Sequence, residues 1–210
     1  MNSSITSNYA EGKKSIIMDS SSSKENLQES ITELGSELGK KIIEDYFSEK
    51  NTFSTPMSTV VERIYPDIPL CAIITTSDDF LYLGKGITST LNNSILGYMD
   101  FNGKRGIQAL DSKVRHMELP DPKGQVHTLV IAKAVLATGC TAINLTKTAV
   151  SRYMPRNIII ASVFYSEQAK HELNHEFPNA DIIVVGTPDE LDDNGMLVPG
   201  VGNLDQRLRA

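Results

Sequence analysis

Residues 127–141 read HTLVIAKAVLATGCT, an apolar run that ends in small and hydroxyl side chains. Between His127 and Val135, Lys133 is the only residue among Lys, Arg, Asp and Glu. A β-rich run without polar alternation is the pattern of a strand buried on both faces of a parallel sheet. Ala137-Thr138-Gly139-Cys140-Thr141 follows it, and Thr141 to Tyr153 reads as a helix. A tight turn of small residues opening a helix presents backbone N–H groups at the positive end of the helix dipole, which suits a phosphate. The same turn also serves as a plain strand-to-helix connection with Thr141 as N-cap. Spacing alone leaves both readings open.

The alternation recurs on either side. Leu70–Thr76, Ser94–Met99, Asn157–Phe164 and Asp181–Val185 are further strand-like runs, and Ser166–Phe177 is a second helix. Strands alternating with helices of this length predict βαβ units, hence an α/β fold with a parallel sheet and flanking helices. Upstream, Leu27, Ile31, Leu34, Leu38, Ile42 and Tyr46 recur at helical spacing and predict a helix over 24–49 with Ser22 or Ser23 as its cap. The stripe is expected to bury against the core or a partner. Gly35 and Gly39 cost helix propensity, and close packing is the reason to carry them. Residues 1–23, rich in Ser and Asn, are expected to form a disordered arm ahead of a single domain over 24–210.

The chain has 210 residues, 40% hydrophobic and 22% charged, with a formal net charge of −6. An acidic chain without a basic block is a poor nucleic-acid binder. The doublets Lys13-Lys14, Lys40-Lys41 and Lys104-Arg105 read as solvated surface. No run approaches the ~20 apolar residues of a membrane span, and none near Met1 has signal-peptide length. Cys71 and Cys140 lie far apart and build neither a disulfide framework nor zinc spacing. The expectation is a cytoplasmic protein with no nucleic-acid or membrane partner. His171 and His175 stand at i, i+4 but lack a Glu in metalloprotease spacing, so they read as surface residues.

Near the C-terminus, residues 195–207 read GMLVPGVGNLDQR. Pro199-Gly200 and Gly202 force a compact loop with exposed main-chain groups, able to hold a flat ligand or merely to turn the chain. Leu136-Ala137-Thr138-Gly139, together with Gly195, Val198-Pro199-Gly200, Gly202 and Arg207, resembles the uracil phosphoribosyltransferase family in order and spacing. The resemblance runs from about residue 30 to 208 and is specific in the C-terminal half. It implies a type I phosphoribosyltransferase fold and transfer of phosphoribosyl to a pyrimidine base. It implies phosphate binding at Ala137, Thr138, Gly139, Cys140 and Thr141. It implies base binding at Met196, Leu197, Val198, Gly200 and Gly202. A homodimer is expected on the same ground, and Mg²⁺ as a cofactor.

The sequence departs from that family where sugar and diphosphate are held. Lys133 stands in place of an Asp that holds the ribose hydroxyls, and Cys140 in place of a second Gly. Ile73-Ile74-Thr75-Thr76 lacks an expected Arg, as does Tyr98-Met99-Asp100. Asn203 and Gln206 replace two Asp residues, and Met196 a Tyr. Lys104 and Arg105 are the cations available to compensate. Asp78-Asp79 reads as a solvated strand-end pair. Three functions fit: a phosphoribosyltransferase with a degraded diphosphate site and weak or altered activity, a non-catalytic pyrimidine or nucleotide binder acting as sensor or partner subunit, or different chemistry on the same scaffold.

Overall fold

The computed structural model describes residues 2–101 and 114–209. Strand β1 (Asn2–Ile5) leads into helices α1 (Asn8–Met18) and α2 (Lys24–Tyr46). A hairpin of β2 (Ser48–Ser54) and β3 (Val60–Pro66) follows. Next come β4 (Cys71–Thr76), a π-helical turn (Phe80–Gly84) running into α3 (Lys85–Thr90), β5 (Ser94–Asp100) and β6 (His116–Glu118). The C-terminal half contains β7 (Thr128–Leu136), α4 (Cys140–Tyr153), β8 (Asn157–Tyr165), α5 (Glu167–Glu176) and β9 (Ala180–Val185). Short strands β10 (Glu190–Leu191) and β11 (Leu197–Val198) precede α6 (Leu204–Arg209).

The sheet order is β1-β9-β8-β7-β4-β5-β6, parallel except where β6 runs against β5. The five strands expected from the apolar runs are its centre, and the α/β parallel-sheet class holds. Residues of β7 divide between the two faces. Val130, Ala132 and Ala134 pack with α2, and Leu129 and Ile131 pack with α4. Among the described residues no helix is long and apolar enough to cross a membrane.

The stripe of α2 is core: Leu27, Ile31, Leu34, Leu38 and Ile42 are buried within the chain itself. Ser23 caps the helix, its side chain accepting from the Asn26 amide at 3.2 Å. Close packing accounts for the glycines. A Cβ on Gly86 would lie 2.2 Å from the Thr32 carbonyl oxygen and 3.0 Å from Gly35 Cα. Helix α3 therefore touches α2 nearly backbone to backbone.

The expected disorder of residues 1–23 is overturned. β1 pairs in parallel with β9, from Asn2 opposite Ile182 to Ile5 opposite Val185. Helix α1 buries Ala10, Lys14 and Ile17. The segment needs no core of its own, because it covers what would otherwise be the sheet's open edge at β9. Its polar residues serve as caps and anchors. Ser7 caps α1 through the Ala10 amide at 3.2 Å, and the Lys14 ammonium donates to the Val185 and Thr187 carbonyls at 3.1 and 2.9 Å. Burial pulls the pKa of Lys14 down, with Asp189 and Glu11 acting against that pull.

The α2–α3 contact separates two glycines. Gly86→Ala forces backbone atoms apart and is expected to lower stability by about 3 kcal/mol. At Gly39 a Cβ would meet the Thr90 hydroxyl at 1.9 Å and the Ile87 carbonyl oxygen at 3.0 Å, so Gly39→Ala with Thr90→Ala removes the worst contact and is expected to cost less than Gly86→Ala, about 1 kcal/mol. Urea unfolding midpoints at unchanged m-value check the difference.

Candidate functional site

The chain moves from β4 to β5 on one side and, later, to β7 on the other. In open parallel sheets the crevice at such a reversal, beyond the carboxyl ends of the strands, is where ligands bind. A pocket of about 260 Å³ lies at this reversal, near the lower end for small-molecule sites. Its lining includes all of Ala137 to Thr141, together with Lys133, Met196, Leu197 and Gly202. The two stretches singled out in the sequence thus meet in one cavity.

The turn after β7 is shaped by Gly139, which takes the left-handed conformation at φ 79° and is the N-cap residue of α4 in place of the expected Thr141. A Cβ on Gly139 would approach the Ala169 carbonyl to 3.3 Å, so α5 packs against the turn. The Ser166 hydroxyl donates to the Ala137 carbonyl at 2.6 Å and fixes the turn's other side. Cys140 is 8% exposed and lines the pocket, with its sulfur 3.9 Å from the Thr138 carbonyl.

The second loop is carried by β10 and β11, paired antiparallel with Leu191 opposite Leu197. Asp192 organises its tip, accepting from the Asn194 and Met196 amides at 2.9 and 2.8 Å. The Met196 amide leads the donors that hold the Asp192 carboxyl below the usual carboxylate range. Gly195, at φ 73°, would bring a Cβ within 3.4 Å of Thr138 Cγ2, so this loop rests directly on the first. Arg207 clamps the following helix, donating to the Ile17, Val201 and Asp19 carbonyls. Val198 and Gly200 do not line the cavity: Val198 is exposed and Gly200 is buried in the turn beneath. Asn203 also lies off the cavity and accepts from the Gln206 amide at 3.2 Å. Lys104 and Arg105 lie outside the described residues.

Asp78 and Asp79 are not the solvated pair expected. The Asp79 side chain is 4% exposed, and its Oδ2 accepts from Lys133 Nζ at 2.7 Å and from Thr76 Oγ1 at 2.8 Å. The Asp78 carboxylate pairs with Arg209. The pair therefore divides between wall and rim. Burial alone would depress the ammonium of Lys133; Asp79, with Asp205 and Asp78, more than reverses this and raises its pKa. Asp100 and Asp205 complete an acidic wall that sequence reasoning did not assemble. The one available signal was a double acid immediately after an apolar strand.

A Mg²⁺ held by the protein does not fit these side chains. Of the four carboxylates that line the pocket, two already carry cations, Asp79 with Lys133 and Asp78 with Arg209. Among the described residues no group of three or more His, Cys, Asp or Glu could hold a metal ion.

A parallel sheet with a phosphate-suited turn and a facing backbone loop at its reversal defines a phosphoribosyltransferase-type domain. The family model for uracil phosphoribosyltransferase matches residues 4–208, and the chain belongs to that family. It is 27% identical over 190 residues to a uracil phosphoribosyltransferase of Sulfolobus acidocaldarius, covering 86% of each chain. It is 39% identical over 87 residues to a putative uracil phosphoribosyltransferase of Schizosaccharomyces pombe, covering 41% of this chain and 42% of the relative. The solved structure of a protein from Aquifex aeolicus superposes with a TM-score of 0.79 at 22% identity, covering 99% of this chain and 97% of that one, and shares the fold.

The two cysteines give a check on the cavity. Burial pushes the Cys71 thiol up to about 12, so at pH 8 only about 10⁻⁴ of it is thiolate. A disulfide reagent on native protein is expected to modify Cys140 slowly and Cys71 not at all. Cys140→Ala is expected to abolish native reactivity, with Cys71 titrating only in denaturant.

Proposed function

We propose that the pocket binds a pyrimidine nucleotide, phosphate on the 137–141 turn and base against the 195–202 loop, while phosphoribosyl transfer runs far below a competent enzyme's rate. The observation that carries this reading is the charge of the rest of the pocket lining. Asp78, Asp79, Asp100 and Asp205 stand there with a single cation among the described lining residues, Lys133, already paired with Asp79. Transfer expels a diphosphate and needs cations aimed at its developing charge, each worth about 10²–10³ in rate. Thr75, where the resemblance called for an Arg, is fully buried and donates to the Thr76 carbonyl at 3.0 Å. Any Mg²⁺ would arrive with a diphosphate ligand rather than on side chains of its own.

Calorimetric titration with UMP, uracil, and phosphoribosyl diphosphate plus Mg²⁺ tests the reading. UMP is expected to bind wild type and to fail with Gly200→Val, because a Cβ there would lie 2.0 Å from the Leu197 carbonyl oxygen at φ 58°. Steady-state formation of UMP is expected below about 10⁻² s⁻¹, three decades under a typical enzyme. Turnover near 1 s⁻¹ would overturn the inactive-site part and leave the ligand class standing.

We also propose a homodimer. The α2 stripe is used up inside the chain, so the surface that supports assembly is the β2–β3 arm. Val60, Ile64 and Tyr65 are 66%, 68% and 55% exposed on this two-stranded element, which lies outside the main sheet. Such a ribbon is marginal in water without a covering surface. Light scattering is expected to give twice the 23.0 kDa chain mass, and Ile64→Lys with Tyr65→Lys to reduce it to one chain.

A further inference from the structure

Besides a turn suited to a phosphate and a loop suited to a flat ring, the pocket is lined by carboxylates. We infer that Asp79 is the residue that holds the sugar hydroxyls of the bound nucleotide, with Lys133 as its positioning residue. The inference rests on the nucleotide reading above and names what that reading leaves open, the sugar the site selects.

Three observations support it. Asp79 and the 138–141 turn line the same cavity, from the carboxyl ends of adjacent strands β4 and β7. A ligand with its phosphate on the turn therefore shares its cavity with the Asp79 carboxylate. Second, the carboxylate is held still. Its Oδ2 takes both Lys133 and Thr76, while Oδ1 accepts no hydrogen bond from the described residues. A carboxylate only accepts, so what lies against Oδ1 must donate. A second phosphate would be repelled, whereas a ribose diol offers two O–H donors. Third, the charge of Lys133 is spent on Asp79 at 2.7 Å, so the lysine serves the carboxylate rather than an anionic ligand. Relative to the pattern the chain resembles, the acid has moved from β7 to the turn after β4, with a cation left behind to aim it.

The experiment is calorimetric titration of the full chain with UMP and 2′-deoxy-UMP. Wild type is expected to favour UMP by about tenfold or more, the typical value of one hydrogen bond to a charged group. Asp79→Asn is expected to bring UMP affinity down to that of 2′-deoxy-UMP, leaving the deoxynucleotide nearly unchanged. Lys133→Met is expected to narrow the same ratio. Retained deoxynucleotide binding shows that each variant is folded, and the wild-type comparison stands if neither variant folds. Equal affinity of wild type for the two nucleotides overturns the inference alone, as does a ratio unmoved by Asp79→Asn. Binding of neither nucleotide overturns the nucleotide reading and this inference with it.

Discussion

Strand β7 is hydrogen-bonded along both edges, but the two partners do not end together. Its pairing with β4 stops at Thr75 opposite Ala132, while its pairing with β8 continues to Leu136 opposite Tyr165. Past Ala132 the β4 side of β7 is therefore open, and the first residue beyond the last pair is Lys133. Lys133 therefore stands at the open end of β7, where it lines the pocket.

A cation at that place is constrained in turn. Lys133 is flanked by Ala132 and Ala134, both buried, and its own side chain is 16% exposed. An unpaired charge in such surroundings costs several kcal/mol, and removing one partner of a buried pair costs about 3–5 kcal/mol. Asp79 is the partner the turn after β4 delivers, and Thr76 fixes the carboxylate from below. The same arithmetic bears on chemistry. A lysine committed to a buried carboxylate is no longer a free charge for an anionic ligand.

How much of this was legible depended on the range of the cause. The five central strands announced themselves because burial on both faces leaves an apolar run, and DIIVV or NIIIASVF needs no partner to be recognised. The 137–141 turn and the Pro199-Gly200 loop were visible as local chemistry. What failed was non-local. The Ser- and Asn-rich start gives no sign that β9 lacks a neighbour, so an edge-completing strand read as disorder. Asp79 and Lys133 are separated by 54 positions, and nothing in either local sequence states that they meet. At the head of α4, Gly139 in a left-handed conformation took the place of the hydroxyl cap, because the close approach of α5 leaves little room for a side chain.

The same division separates what this chain keeps of its family pattern from what it changes. The backbone shape of the 137–141 turn and the 195–202 loop is set by Gly139, Gly195 and Gly200 at positive φ and by the Asp192 cap. Side chains around such a frame are free to change without moving it. The rest of the pocket lining is set by side chains, and its charges differ from the resembled pattern: an ammonium on β7 is paired with a carboxylate from the turn after β4. On the reading proposed above, ligand class and reaction rest on different parts of the structure, the first on backbone shape and the second on side-chain charge.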